Sequence, residues 1–101
     1  MPLFRLMIEG RDFPGFLFDK PDTAYGFFTT RWIEAQDEEA AELAAVESVR
    51  WEYRELRWPI SQQQKAGDPD PMLYLVEIEE VSDIPEDAPN SGATWYPMDA
   101  E

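Results

Sequence analysis

Carboxylates are the only abundant groups in this chain with acid–base or ligating chemistry. It carries 22 Asp and Glu against 8 Lys and Arg, with no His and no Cys. Two carboxylates suffice for glycoside hydrolysis, where one is protonated and the other charged across a deep cleft. With acids this dense, two of them lying close together carries no information, and a small sheet with one helix leaves little room for such a cleft. Oxygen ligands also suit Ca²⁺, and Asp68 with Asp70, or Asp83 with Glu86 and Asp87, could supply them. Neither group has the spacing of an EF-hand loop, and Pro69 and Pro71 interrupt the first, so both are expected to be solvated loops. Without His or Cys there is no imidazole base, no nucleophile–His arrangement and no ligand set for zinc, haem or an iron–sulfur cluster. The five glycines form neither a G-x-G-x-x-G nor a P-loop pattern. The expectation is a chain that is not an enzyme and has no metal or cofactor.

Cations and aromatics offer the better candidates. Arg50, Arg54 and Arg57 project from a similar side of an expected helix, with Arg31 on a neighbouring strand. Together they could hold an anion or an acidic peptide. Pairing with Glu47 and other carboxylates at i,i+3 or i,i+4 is the simpler expectation, a solvated face. Four tryptophans are generous for 101 residues. Trp51 falls off the apolar stripe of the helix, Trp58 sits at its end, and Trp95 and Tyr96 lie in a polar tail. Large aromatics off the core stripe are favoured at protein interfaces. The candidate interaction residues are therefore Trp51, Trp58, Trp95, Tyr96, Arg50 and Arg54. The competing expectation has the tail folding back, so that Trp95 and Tyr96 close the open side of the sheet.

A formal charge of −14 disfavours direct binding to nucleic acid or to an anionic membrane and steers basic partners inward. Acidity also serves solubility alone. The leading reading is a small non-catalytic acidic protein-interaction domain whose partner is a basic protein or a second copy in a homodimer. A narrower alternative is an inhibitor or immunity-type protein covering the basic site of a nucleic-acid-binding protein. A carboxylate-dependent enzyme is a third and would need a concave site with converging acids. No apolar run approaches the roughly 20 residues that span a bilayer. Arg5 and Glu9 interrupt the N-terminal apolar stretch too early for a secretory signal, so the expected compartment is cytoplasmic.

The elements that must position these residues read as an α+β domain. It is a small, mostly antiparallel sheet in β-β-α-β order with one long helix packed on one face. Residues 2–9 alternate as a strand ended by Gly10, with Phe4, Leu6 and Ile8 on one face. Phe16, Leu17 and Phe18 form a short edge strand or a folded-over loop between turn signals. Residues 26–34 form the second strand, with Phe28, Thr30 and Trp32 opposite Phe27, Thr29, Arg31 and Ile33. Both faces hold apolar groups, so the buried one stays open.

Asp37 caps a helix, with Glu38, Glu39 and Glu42 in its first turns. It is expected to run to Arg57, roughly 30 Å, and to stop before Pro59. Its core side gathers Ala45, Val46, Val49, Tyr53 and Leu56, away from Glu47, Arg50 and Arg54. After a polar linker over 60–71, residues 72–79 form the third strand. Met72, Tyr74, Val76 and Ile78 share one face, and Leu73 and Leu75 the other. The first strand is expected between the other two. Residues 1–84 make the domain and 85–101 an acidic, Pro-containing tail that packs back through Trp95 and Tyr96.

Overall fold

The computed structural model describes residues 1–18, 23–56, 60, 62, 71–88 and 92–98, without the side chains of Phe16 and Phe18. Strand β1 (Leu3–Pro14) leads through a single 3-10 turn (Gly15–Phe18) to β2 (Ala24–Glu34). Helix α1 (Glu38–Glu52) and a second 3-10 turn (Arg54–Leu56) follow, then β3 (Met72–Val81) and β4 (Thr94–Pro97). The sheet order is β3-β1-β2-β4, and every neighbouring pair is antiparallel. Both β2 and β3 run opposite to β1, so they run parallel to each other with β1 between them. The α1 connection therefore crosses over the central strand. This is the expected α+β architecture, with a fourth strand added from the tail.

Two bulges decide which side chains face the helix. In β1, Arg11 and Asp12 stand opposite Gly26 alone, between the pairs Gly10–Phe27 and Phe13–Tyr25. Asp12 takes the left-handed conformation this requires, at φ 64, which Asp tolerates better than most residues. The strand thus continues past Gly10 to Pro14 instead of ending there. In β3, Met7 pairs with Glu77 and Ile8 with Leu75, leaving Val76 as an extra residue. One inserted residue reverses the alternation, because side chains in a strand repeat every two positions. Ile78 therefore joins Leu73 and Leu75 against the core, and the expected grouping of Ile78 with Met72, Tyr74 and Val76 is corrected.

On β2 the helix side is formed by Phe27, Thr29, Arg31 and Ile33, across from the buried Phe4, Leu6 and Ile8 of β1. Against this surface α1 buries Ala41, Ala45 and Val49, with Val46, Tyr53 and Leu56 packed at the margin. Asp37 caps the helix as expected, and its Oδ1 accepts the Ala40 N–H at 2.8 Å. The helix is shorter than expected. It ends at Glu52, where Tyr53 leaves helical geometry, and the 3-10 turn carries the chain to Leu56. The expected stop at Pro59 lies outside the described residues, as do Trp58 and Arg57. Phe16–Phe18 belong to a 3-10 turn in place of an edge strand, and Leu17 packs against the core, in keeping with the alternative of a folded-over loop.

The tail supplies the last piece of core. Trp95 pairs with Phe27 and lies 4.7 Å from its ring, with Phe13 and Tyr53 edge-on to Trp95 at 5.4 and 5.7 Å. Such tilted and edge contacts each add about 0.5–1.5 kcal/mol to simple burial. Room for the cluster comes from Gly10, where a Cβ would sit 2.1 Å from Phe27 Cε2. The Phe27 ring lies directly over that glycine.

Candidate functional site

The helix covers one side of the sheet. Among the described residues, no element covers the other. Its alternating positions include Arg5, Met7, Glu9 and Arg11 on β1, and Phe28, Thr30 and Trp32 on β2. Phe28, Tyr74, Met72 and Val76 are 39%, 44%, 48% and 51% exposed. A mixture of exposed aromatics, Met and Arg is the composition of a protein interface more than of ordinary surface. Tyr74 of β3 and Phe28 of β2 both stand opposite Glu9, on either side of it. They flank a carboxylate on the central strand, so the exposed apolar groups sit on β2 and β3 with the Glu9 charge between them.

Charges on this face are paired in place. Arg5 donates from Nε to Glu79 Oε1 at 2.7 Å and from Nη2 to Glu77 Oε1 at 3.0 Å. Arg11 Nε lies 3.2 Å from Glu9 Oε1, and its guanidinium carbon is 5.7 Å from the Tyr74 ring centre. Tyr96 donates to Glu9 Oε2 at 2.7 Å and stacks on Phe28 at 5.4 Å. Burial, and then the bond to Glu9, raise its pKa above the ordinary tyrosine value. The ring reaches Glu9 by passing over Gly26, where a Cβ would meet the Tyr96 hydroxyl at 2.7 Å. Side chains already oriented by such contacts lose less freedom when a partner binds.

The opposite side holds a polar network with a different purpose. Arg31 is only 1% exposed. It donates from Nε to Thr29 Oγ1 at 3.3 Å, from Nη1 to Ser48 Oγ at 3.1 Å and from Nη2 to Glu52 Oε1 at 3.0 Å. Glu52 Oε2 accepts the Gly92 N–H at 2.8 Å, and Thr29 Oγ1 donates to the Gly92 carbonyl at 2.7 Å. The network ties strand, helix and tail together. Glu52 ends α1, where the dipole disfavours an anion, and the buried guanidinium offsets that. Burial is the largest influence on the Glu52 carboxyl and raises its pKa. The Gly92 N–H, Tyr53 hydroxyl and Arg31 guanidinium outweigh it, so the carboxyl titrates below its ordinary value. Burial and the bond to Glu52 push the Tyr53 phenol up to about 12.

The residues singled out from sequence are not gathered into one place. Trp51 is 68% exposed on α1. Arg54 lies 3.9 Å over its ring and donates Nη1 to the Trp51 carbonyl at 2.7 Å. Arg50 is exposed in the last turn of the helix. Trp95 packs on the helix side of the sheet and Tyr96 on the open side, so β4 extends the sheet without closing its open face. Trp58 is outside the described residues. The expected solvated arginine face is corrected at Arg31, which is buried between sheet and helix, while Arg50 and Arg54 are exposed. Asp68 and Asp70 also fall outside the described residues. Among those described, no group of three acidic side chains is placed to hold a metal ion. No described helix is long and apolar enough to cross a membrane.

Sequence reasoning expected one face of the sheet to be left by the helix but did not tell which side chains line it. Phe28 and the Met72–Tyr74–Val76 row were visible as apolar stripes, but both strands are apolar on both sides. Only the register shows which stripe is left uncovered. A scan against protein-family models, a search of curated proteins and a search of solved structures each found no match.

Proposed function

We propose that this chain is a small non-catalytic protein-interaction domain that takes a cationic partner on the open face of its sheet. The observation that carries the reading is the exposure of Phe28, Met72, Tyr74 and Val76 on the side that α1 does not cover. The charge of −14 selects the partner. A second copy would bring the same charge to the same face, whereas a basic surface is attracted. A sequence with no His and no Cys supports binding over catalysis. The broader reading is preferred to an inhibitor that imitates phosphate. Exposed carboxylates occupy the first turn of α1 at Glu38 and Glu39 as well as β3, instead of one continuous surface.

The test is a titration with a synthetic peptide of alternating lysine and valine, followed by backbone amide NMR at low and high salt. The reading expects shifts at Phe28, Met72 and Tyr74 and weaker binding at high salt. It also expects loss of binding in the Phe28→Ser, Tyr74→Ser double variant, with circular dichroism unchanged. Shifts confined to α1, or equal binding of the same peptide with glutamate in place of lysine, would overturn it.

A further inference from the structure

The two margins of the sheet differ in a way that bears on how a partner is held. On one side the sheet ends at β4, four residues long and closed by Pro97, which has no N–H to offer a neighbour. On the other it ends at β3, ten residues long and without proline. Among the described residues, β3 pairs only with β1. The outer side of such a strand presents a row of N–H and C=O groups that can take up another extended chain.

Proteins commonly guard exposed edges with inward-turned charge, lysine or a bulge. β3 has a bulge at Val76 and charges of one sign only. Residues 72–88 contain six carboxylates, at positions 77, 79, 80, 83, 86 and 87, and no cationic side chain. Such a guard discriminates. Registers that set the 77–80 stretch of one copy against that of another place like charges across from each other, which is destabilising. A chain with Lys or Arg at alternate positions is favoured by Glu77 and Glu79, which share the open side of the sheet opposite Met7 and Arg5. Glu77 and Glu79 are 51% and 50% exposed while Arg5 holds their Oε1 atoms, so a cation arriving from the outer side can reach them. The intervening residues of such a chain turn to the other side of the sheet, the side of Leu75 and Ile78.

We infer that the partner is anchored beside the open face by an added strand: an extended cationic segment pairs its backbone with the outer edge of β3 and sets its alternate basic side chains beside Glu77 and Glu79, which share the open side. Main-chain hydrogen bonds then supply affinity, and the acidic edge supplies selectivity. The inference rests on the cationic partner proposed above and adds the mode of binding.

Backbone N-methylation separates the two ideas, since it removes amide donors from a peptide and keeps its charges. The full chain is titrated with the lysine–valine peptide and with the same peptide N-methylated at every residue, so that neither of its edges keeps amide donors. Strand addition expects the methylated peptide to bind at least about tenfold more weakly, from the loss of several hydrogen bonds each contributing modestly. It also expects slowed amide hydrogen exchange within Met72–Val81 when the unmethylated peptide is bound. Equal binding of the two peptides, with shifts at Phe28 and Tyr74, would overturn strand addition and leave the cationic-partner reading standing. Failure of both peptides to bind would overturn both. A dimer of the free chain, seen by sedimentation and protecting Met72–Val81, would also overturn it, because the edge would then belong to a second copy.

Discussion

The two faces of the sheet use similar residues to opposite ends. On the helix side, Phe27, Arg31 and Trp95 are locked by several neighbours each, and even the cation is almost wholly enclosed. On the open side, Phe28, Arg5 and Tyr96 are also aromatic or cationic, yet they stay in part exposed to solvent, with Phe28 39% and the Arg5 side chain 21% exposed. Amino-acid type does not separate the two roles. The number of directions from which each side chain is held does.

The sharpest way to break the contrast is to remove Arg31. The Arg31→Ala variant leaves Glu52 without its buried counter-ion at a helix C-terminus, and a loss of about 3–5 kcal/mol in urea unfolding is expected. Replacing both partners, as Arg31→Met with Glu52→Leu, should recover most of it, because neither charge then needs a partner. Next comes Gly10→Ala, whose Cβ would collide with the Phe27 ring. Overpacking of this kind costs about 1–3 kcal/mol and should lower the thermal midpoint.

Proton linkage gives two smaller, directional effects. The folded Glu52 carboxyl titrates below its ordinary value, so its contribution is present above the ordinary carboxylate range and is lost as pH falls through the lowered value. Glu52→Gln should flatten that acid limb of the stability curve. Tyr53 is raised from 10.0 to about 12, so stability is fully present below pH 10 and declines as pH rises toward 12. Tyr53→Phe should remove that decline. The smallest effects belong to the open face. Phe28→Ser and Tyr74→Ser should each change stability by no more than about 1 kcal/mol. A larger loss in urea unfolding would mean that this face is part of the core.

Much of the architecture was legible because it depends on local signals. Asp37 before a run of Glu and Ala announces a helix start wherever the helix packs, and Phe4, Leu6 and Ile8 alternate cleanly. Phase was illegible. Nothing in Met72–Leu73–Tyr74–Leu75–Val76 marks Val76 as the residue that will stand unpaired, since the bulge arises from matching β1. Arg31 misled for a related reason: its burial is decided by Ser48 and Glu52 one element away and by Gly92 in the tail. The strand at Thr94–Pro97 is too short and too near proline to stand out, and its pairing with β2 depends on contacts far away in sequence.

The placement of β1 between β2 and β3 has a consequence for the order of assembly. Pairing with β2 closes across a short connection, from Pro14 to Ala24. Pairing with β3 joins Leu3 to Val81, almost the length of the chain, and such distant pairings are slow to form. A hairpin of β1 and β2 is therefore expected to precede the complete sheet in refolding kinetics, carrying Phe4, Leu6 and Ile8 along an edge that has not yet found its second neighbour. During refolding from denaturant, that interval is when the chain is most exposed to association with other unfinished copies. The net negative charge, repelling those copies at a distance, protects the molecule before it has a surface to present.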